Sequence, residues 1–336
     1  MFRRALWVML FAALLVSICA TAYAKGYAIT VSSGDFPEAG ALNARVSNEK
    51  YKLYLPGTWD PKNVTITVSG QESFYIGDTL ITSGQPCDVS GLIGKEQPMK
   101  RGSNGKKFAT VTIYHGSRIP SVFFTMDAKT FSKVYRDKFI DVNDGHITFV
   151  DADGSIPYDG AMASFHGRGN ATYGFAKKPF QFKLDKKMSL AGLAKGKTWI
   201  LLANYQDLSL LRNQITLDLA REVGIPYAIG SQPIDVYVNG DYYGQYLLTE
   251  KVQIGKSRID ITNLEKATEA LNDKPLTEYK RFSTSSKDFP IYKGYEIPND
   301  PEDITGGYIF EIEKRYRLQT VEYNGFETDL SLRFVI

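Results

Sequence analysis

Residues 166–252 place three punctuated elements in succession, and that order limits how the chain around them can fold. HGRGNATYGFAKKPFQFKL breaks on glycines and runs into a basic strand, where alternation puts Phe180, Phe182 and Leu184 on one face and Gln181 with Lys183 on the other. Residues 208–223 follow as the strongest helix pattern in the chain: Leu211, Ile215, Leu219 and Val223 recur at helical spacing as one apolar stripe. Asp207 or Ser209 can cap its first turn, and Gly224 and Pro226 stop it. Residues 234–248 then read as a hairpin closed by Asn239-Gly240, the strongest short-range hairpin signal.

Upstream, residues 27–119 alternate in short runs such as YKLYLP, VTITVSG and FATVTIYHG between Gly, Pro, Asn and Ser clusters, the pattern of an antiparallel β-sandwich. Pro120 marks the boundary to a second region, opened by a strand at 121–125 and the short helical stretch DAKTFSKVYRDK. The run Asp151-Ala152-Asp153-Gly154 resembles the start of a calcium loop, but the later oxygen ligands and the closing Glu are missing, so it reads as a turn. Residues 264–299 are polar and rich in Lys, Ser and Pro, as in a surface excursion, and order is expected to resume at 306–312.

Arg3 and Arg4 precede an apolar run and Ala22-Tyr23-Ala24 offers a cleavage site, so residues 1–24 read as a signal peptide and the chain as exported to the outside or the cell envelope. No later segment is long and apolar enough for a stable membrane span. Loss of the leader takes Cys19 with it and leaves Cys87 without a disulfide partner, so stability must come from burial. A net charge of +3, spread over 336 residues, lacks the clustered basic face that nucleic acid requires. His115, His146 and His166 show no metal spacing, and there is no G-x-S-x-G elbow.

A phosphate site needs close backbone approach, which favours glycine, and a cation. Gly167, Gly169 and Gly174 bracket Arg168 and Asn170, with Lys177, Lys178 and Lys183 next. The same residues fit a plain turn beside a solvated basic strand, and Lys183 alone reads equally as a surface lysine. Arg212 in the first turn of a helix opposes the helix dipole, so an anion should compensate it, either phosphate or Asp207.

Arg168-Gly169-Asn170-Ala171-Thr172, Lys178-Pro179-Phe180-Gln181-Phe182-Lys183, Leu202-Ala203-Asn204 with Asp207, Arg212 and Asn213, and residues 239–250 stand in the order and wording of a known family. Together they resemble the CotH family, atypical secreted kinases named after a spore-coat protein, over roughly residues 120–308. The whole then reads as an α+β chain: residues 25–119, from their alternation, an antiparallel β-sandwich of immunoglobulin type, and residues 120–336, as the resemblance implies, a divergent, incomplete protein-kinase-like region. The resemblance also implies ATP and Mg²⁺ as cofactors and a secreted or cell-surface protein substrate phosphorylated on Ser or Thr hydroxyls.

Within that resemblance Arg168 and Asn170 belong to the phosphate loop, and Lys178, with Lys183 second, is the strand lysine that meets ATP. The helix at 208–223 takes the regulatory position with Arg212 near the phosphates, and Glu250 leads into the hinge. The family's catalytic and metal-binding aspartates come after its G-G-Y element. Fewer than thirty residues follow Gly306-Gly307-Tyr308 here, so no catalytic or metal residue is assigned and the chain is expected to be truncated and inactive. The alternative is a non-enzymatic surface adhesion protein on the same scaffold.

Overall fold

The computed structural model describes residues 26–271 without a break, then 274–275, 278–280, 298, 301–305, 307–309, 311–312, 325–327 and 333–335. The expected leader, most of the polar excursion after residue 271, Gly306 and Phe310 of the 306–312 segment, and most of the C-terminal segment lie outside the described residues. The chain divides into two compact units, Met1–Lys251 and Val252–Ile336.

The first unit opens with a sandwich. One sheet has the order β2-β1-β5-β8, from β1 (Ile29–Ser33), β2 (Leu42–Asn43), β5 (Val64–Val68) and β8 (Pro86–Cys87). The other runs β3-β4-β10-β9-β6-β7, from β3 (Arg45–Ser47), β4 (Lys50–Leu55), β6 (Ser73–Ile76), β7 (Thr79–Thr82), β9 (Glu96–Lys100) and β10 (Lys107–His115). Strict alternation turns Tyr51, Leu53 and Leu55 of β4 and Val64, Ile66 and Val68 of β5 inward, where they bury Trp59 between the sheets. The sandwich departs from a purely antiparallel plan at one pair: β4 and β10 run parallel. A parallel pair needs a long crossover, and β5 to β9 supply it.

Pro120 separates β10 from the first strand of a closed β-barrel. Its strands are β11 (Ser121–Met126), β12 (Asp141–Val142), β13 (Gly145–Val150), β14 (Tyr158–Gly167), β15 (Phe180–Met188), β16 (Gly196–Leu202), β17 (Ser231–Val238) and β18 (Asp241–Glu250). They form an eight-stranded sheet in the order β12-β14-β13-β11-β17-β18-β16-β15, and pairing of β14 with β15 closes it. All pairs are antiparallel except β11 with β17, which joins residues 121–124 to 235–238.

Aromatic rings fill the barrel. Phe124 meets Phe165 and Phe182 edge-on at 5.0 and 5.2 Å, and Phe165 lies 4.9 Å from Phe180, all fully buried. The interior is thus a packed core and not a pore. The outer faces of β11 and β17 belong to the sandwich core, where Phe123 stacks on Tyr237 at 4.9 Å. The β17–β18 turn is Asn239-Gly240 with φ of 51° and 81°, both left-handed as a type I′ hairpin requires. The Asp151 run is the turn between β13 and β14.

Helices are few among the described residues. Helix α1 (Ala128–Val134) is capped by Asp127, whose Oδ1 accepts from Thr130 N at 2.7 Å. Helix α2 (Arg212–Glu222) starts four residues later than its pattern predicts, because Leu210 takes a left-handed φ of 59° and residues 207–211 are spent on a turn. It rests against the barrel through half-buried Leu217 and Ala220, which leaves the apolar stripe of Leu211, Ile215, Leu219 and Val223 exposed. No helix among the described residues is long and apolar enough to cross a membrane.

In the second unit α3 (Leu264–Ala270) precedes a small sheet in the order β19-β21-β20, from β19 (Glu311–Ile312), β20 (Gly325–Glu327) and β21 (Arg333–Val335). The expected α+β chain is accordingly β-rich, with several sheets and one closed barrel.

Candidate functional site

At one end of the barrel the β14–β15 connection faces the β16–α2 connection across a cleft of about 270 Å³. Arg168, Thr172, Phe175 and Lys177 line one side, and Asn204, Tyr205, Asp207, Arg212 and Asn213 the other. Both walls are held by short-range geometry. Gly169 has φ 88°, and a Cβ there would lie 2.3 Å from Thr172 Oγ1, so only glycine allows this turn after Arg168. Lys138 Nζ donates to Gly169 O at 2.9 Å and Asn170 Oδ1 at 3.3 Å, bracing the same turn from behind.

Opposite, Asn204 sits at φ 47°, its Nδ2 donates to Leu210 O at 3.2 Å, and its Oδ1 accepts from Asn213 Nδ2 at 2.8 Å. Asp207 Oδ1 accepts from Ser209 Oγ at 2.6 Å and Oδ2 from Arg212 N at 2.9 Å, so the carboxylate serves the exposed first turn of α2. These hydrogen bonds, that from the Ser209 side chain foremost, hold the Asp207 carboxyl below its usual range. Arg212 Nε lies 3.7 Å from Asp207 Oδ1, so Asp207 supplies the anion that a cation at this helix start needs.

Three cations converge on the cleft. Arg168 is half-buried, burial lowers its pKa, and among the described residues its guanidinium has no hydrogen-bond or carboxylate partner. Lys177 is also half-buried; desolvation pushes its amine down to about 8 against a partial pull upward from the Asp235 carboxylate. Its Nζ donates to Gln245 O and stands 4.3 Å from the centre of the Tyr246 ring. Burial raises Asp235 in turn, opposed by the hydrogen bond it accepts from Tyr242 Oη at 2.7 Å. Arg212 is the exposed member at the mouth. Phe175 and Tyr205 stack at 5.5 Å across the rim.

Of the residues expected from sequence, Arg168 and Arg212 line the cleft, and Asn170 sits exposed on the turn beside Arg168. Lys178 turns away: its Nζ donates to Tyr173 O at 2.7 Å and faces the Tyr173 and Tyr135 rings at 4.9 and 5.6 Å. Lys183 is exposed on the outer face of β15, as its alternation predicts. Glu250 is buried at the end of β18, where its Oε1 accepts from Ala194 N at 2.9 Å and its Oε2 from Gly230 N at 3.1 Å. Neither lines the cleft.

The cleft's lysine is Lys177, one position from the expected one. No local signal singles it out: Gly244 on β18 is glycine because its φ is 98°, beside the register shift opposite Val236 and Tyr237. A Cβ there would meet Lys177 Nζ at 3.8 Å, an ordinary contact. Asn204 and Asn213 stood in the sequence motif without a role in the site, and the Phe175–Tyr205 stack entered only with the structure.

Residues 165–296 match the CotH kinase protein family model. The matched stretch takes in both walls of the cleft, with all three cations. No curated protein matches the chain.

Proposed function

We propose that this chain is a CotH-like kinase whose barrel-end cleft binds the phosphates of ATP, and that the family reaction it serves transfers phosphate to hydroxyls of exported proteins. The observation that carries the reading is Arg168: a desolvated guanidinium with no partner among the described residues, aimed into a cleft shared with Lys177 and Arg212. A buried cation is costly unless paired, and an anionic ligand removes that cost. The match over residues 165–296 to a kinase family supports phosphate as that anion.

Phosphate therefore suits the residues present. Arg168 and Lys177 would hold it from the β14–β15 side and Arg212 from the helix side, while the Phe175–Tyr205 stack offers a flat apolar rim. A Mg²⁺ site does not follow from the same residues: no group of three His, Cys, Asp or Glu side chains among the described residues could hold a metal ion.

ATP titration of the purified chain, with magnesium and without, tests the reading. Saturable binding should weaken by about tenfold or more in Arg168→Ala and in Lys177→Ala, the scale of one lost charge-assisted hydrogen bond. Lys178→Ala should leave it close to wild type. Absence of binding by the folded chain, or loss in Lys178→Ala alone, would overturn it.

A further inference from the structure

The cleft at the barrel end cannot enclose a whole nucleotide. It measures about 270 Å³, whereas sites that surround a drug-sized molecule run to roughly 300–1,000 Å³. Arg168 and Lys177 are half-buried inside it and Arg212 is exposed at its mouth. A triphosphate drawn to these cations therefore takes up the interior, and the base has to lie at the rim.

The rim is built of two aromatic rings, one from each wall. Phe175 closes the turn at Ala171–Gly174 and Tyr205 follows Asn204, and the rings stack with centroids 5.5 Å apart and planes 23° from parallel. That separation is the spacing of a direct pair, so no third ring fits between them. Phe175 is half-buried while Tyr205 is 50% exposed, so the open ring surface belongs to Tyr205. Its position is fixed in advance: Asn204 holds a left-handed φ of 47°, tied to Leu210 O and Asn213 Nδ2 at 3.2 and 2.8 Å. An aromatic platform held ready in this way binds a flat ring without a further ordering cost.

The same wall shows how closely a base can be read. Strong rejection of a wrong base comes from a buried polar group that it leaves unpaired. Asn204 is half-buried, but both ends of its amide are engaged within the wall. Thr172, Gln206 and Asn213 line the cleft but are exposed, so water satisfies them whichever base is present. An exposed glutamine amide can also turn either its donor or its acceptor to a base edge. Stacking, by contrast, accepts any base, since each has a π-face, and the larger purines cover more of the ring.

We infer, on the phosphate reading given above, that Tyr205 is the platform for the base and that the cleft takes purine nucleoside triphosphates as a class, adenine and guanine alike.

Equilibrium titration of the full chain with ATP, GTP and inorganic tripolyphosphate tests this. ATP and GTP should bind within about threefold of each other. Tyr205→Ala should weaken both by roughly five- to a hundredfold, the range of one lost base–aromatic stack, and leave tripolyphosphate unchanged. Tyr205→Trp should preserve both nucleotides, and Arg168→Ala should weaken all three ligands through the phosphates they share. A Tyr205→Ala chain that binds nucleotides as the wild type does would overturn the inference, because the base then lies elsewhere. Equal weakening of tripolyphosphate would overturn it too, since Tyr205 would then only shape the wall, as would a preference of about tenfold or more for ATP over GTP. In each of these cases tripolyphosphate bound through Arg168 leaves the phosphate reading standing. A folded chain that binds none of the three ligands removes that reading, and the platform with it.

Discussion

Lys177 is held by groups that compete over its charge. Desolvation among Gly244, Gln245 and Tyr246 favours the neutral amine, while Asp235 favours the ammonium, and desolvation prevails. The folded-state pKa of about 8 lies below the ordinary 10.5, so between those values the unfolded chain binds more protons than the folded one. Stability should therefore rise as pH climbs from about 8 towards 10.5, and the full desolvation penalty is present below about 8. Lys177→Met removes the titrating group but keeps the aliphatic stem. The difference in melting temperature between variant and wild type should favour the variant at pH 7 and shrink by pH 10, measured by calorimetry across that range. An amine with an ordinary pKa would give a constant difference. The sequence displayed this lysine beside Lys178 with nothing local to separate them. What separates them is the hydrogen bond from Lys177 Nζ to Gln245 O on β18, a contact 68 residues along the chain.

Elements whose conformation is set within a few residues were legible, and those that depend on distant pairing were not. The Asn239-Gly240 turn and the strand alternation of β4, β5 and β15 each follow from neighbouring residues. Closure of the barrel does not, because it needs β11 to pair in parallel with β17 more than a hundred residues later. The start of α2 was misplaced since its periodicity says nothing of the left-handed Asn204 and Leu210 ahead of it. The Asn239-Gly240 hairpin also shows how a local signal acquires a tertiary role: a Cβ at Gly240 would fall 2.6 Å from Ala41 O, and Gly240 O accepts from Asn43 N at 2.8 Å. Gly240→Ala should then cost about 2–4 kcal/mol, combining left-handed strain with a backbone clash. Gly70→Ala, left-handed too at φ 68° but facing open space, should cost only about 1–2 kcal/mol. Denaturant midpoints at constant slope would compare them, and equal losses would mean that the hairpin tip does not bear on β2.

At the scale of the first unit, sandwich and barrel share apolar contacts that make separate unfolding costly. Phe123, Val150 and Tyr237 of the barrel wall are buried in the sandwich core, and Tyr54 stacks on Tyr242 at 4.8 Å. Tyr237 Oη donates to Tyr54 O at 3.3 Å, and Asn43 Nδ2 donates to Asn239 O at 3.1 Å. Loss of the sandwich would strip these rings of their partners and expose the outer face of β11 and β17, strands that also carry the barrel interior. Each part holds one buried tryptophan, Trp59 in the sandwich and Trp199 in the barrel, so fluorescence can follow them separately. Variants retaining only one of the two, Trp59→Phe or Trp199→Phe, should unfold at coincident midpoints as a single cooperative transition. Tyr237→Ala should lower both reporters together by about 3–5 kcal/mol, as removal of a buried ring from a shared core does. Two resolved transitions, or a Tyr237→Ala effect confined to one tryptophan, would show instead that the barrel end bearing Arg168 and Lys177 stands without the sandwich, and the cleft would then be free to move against it.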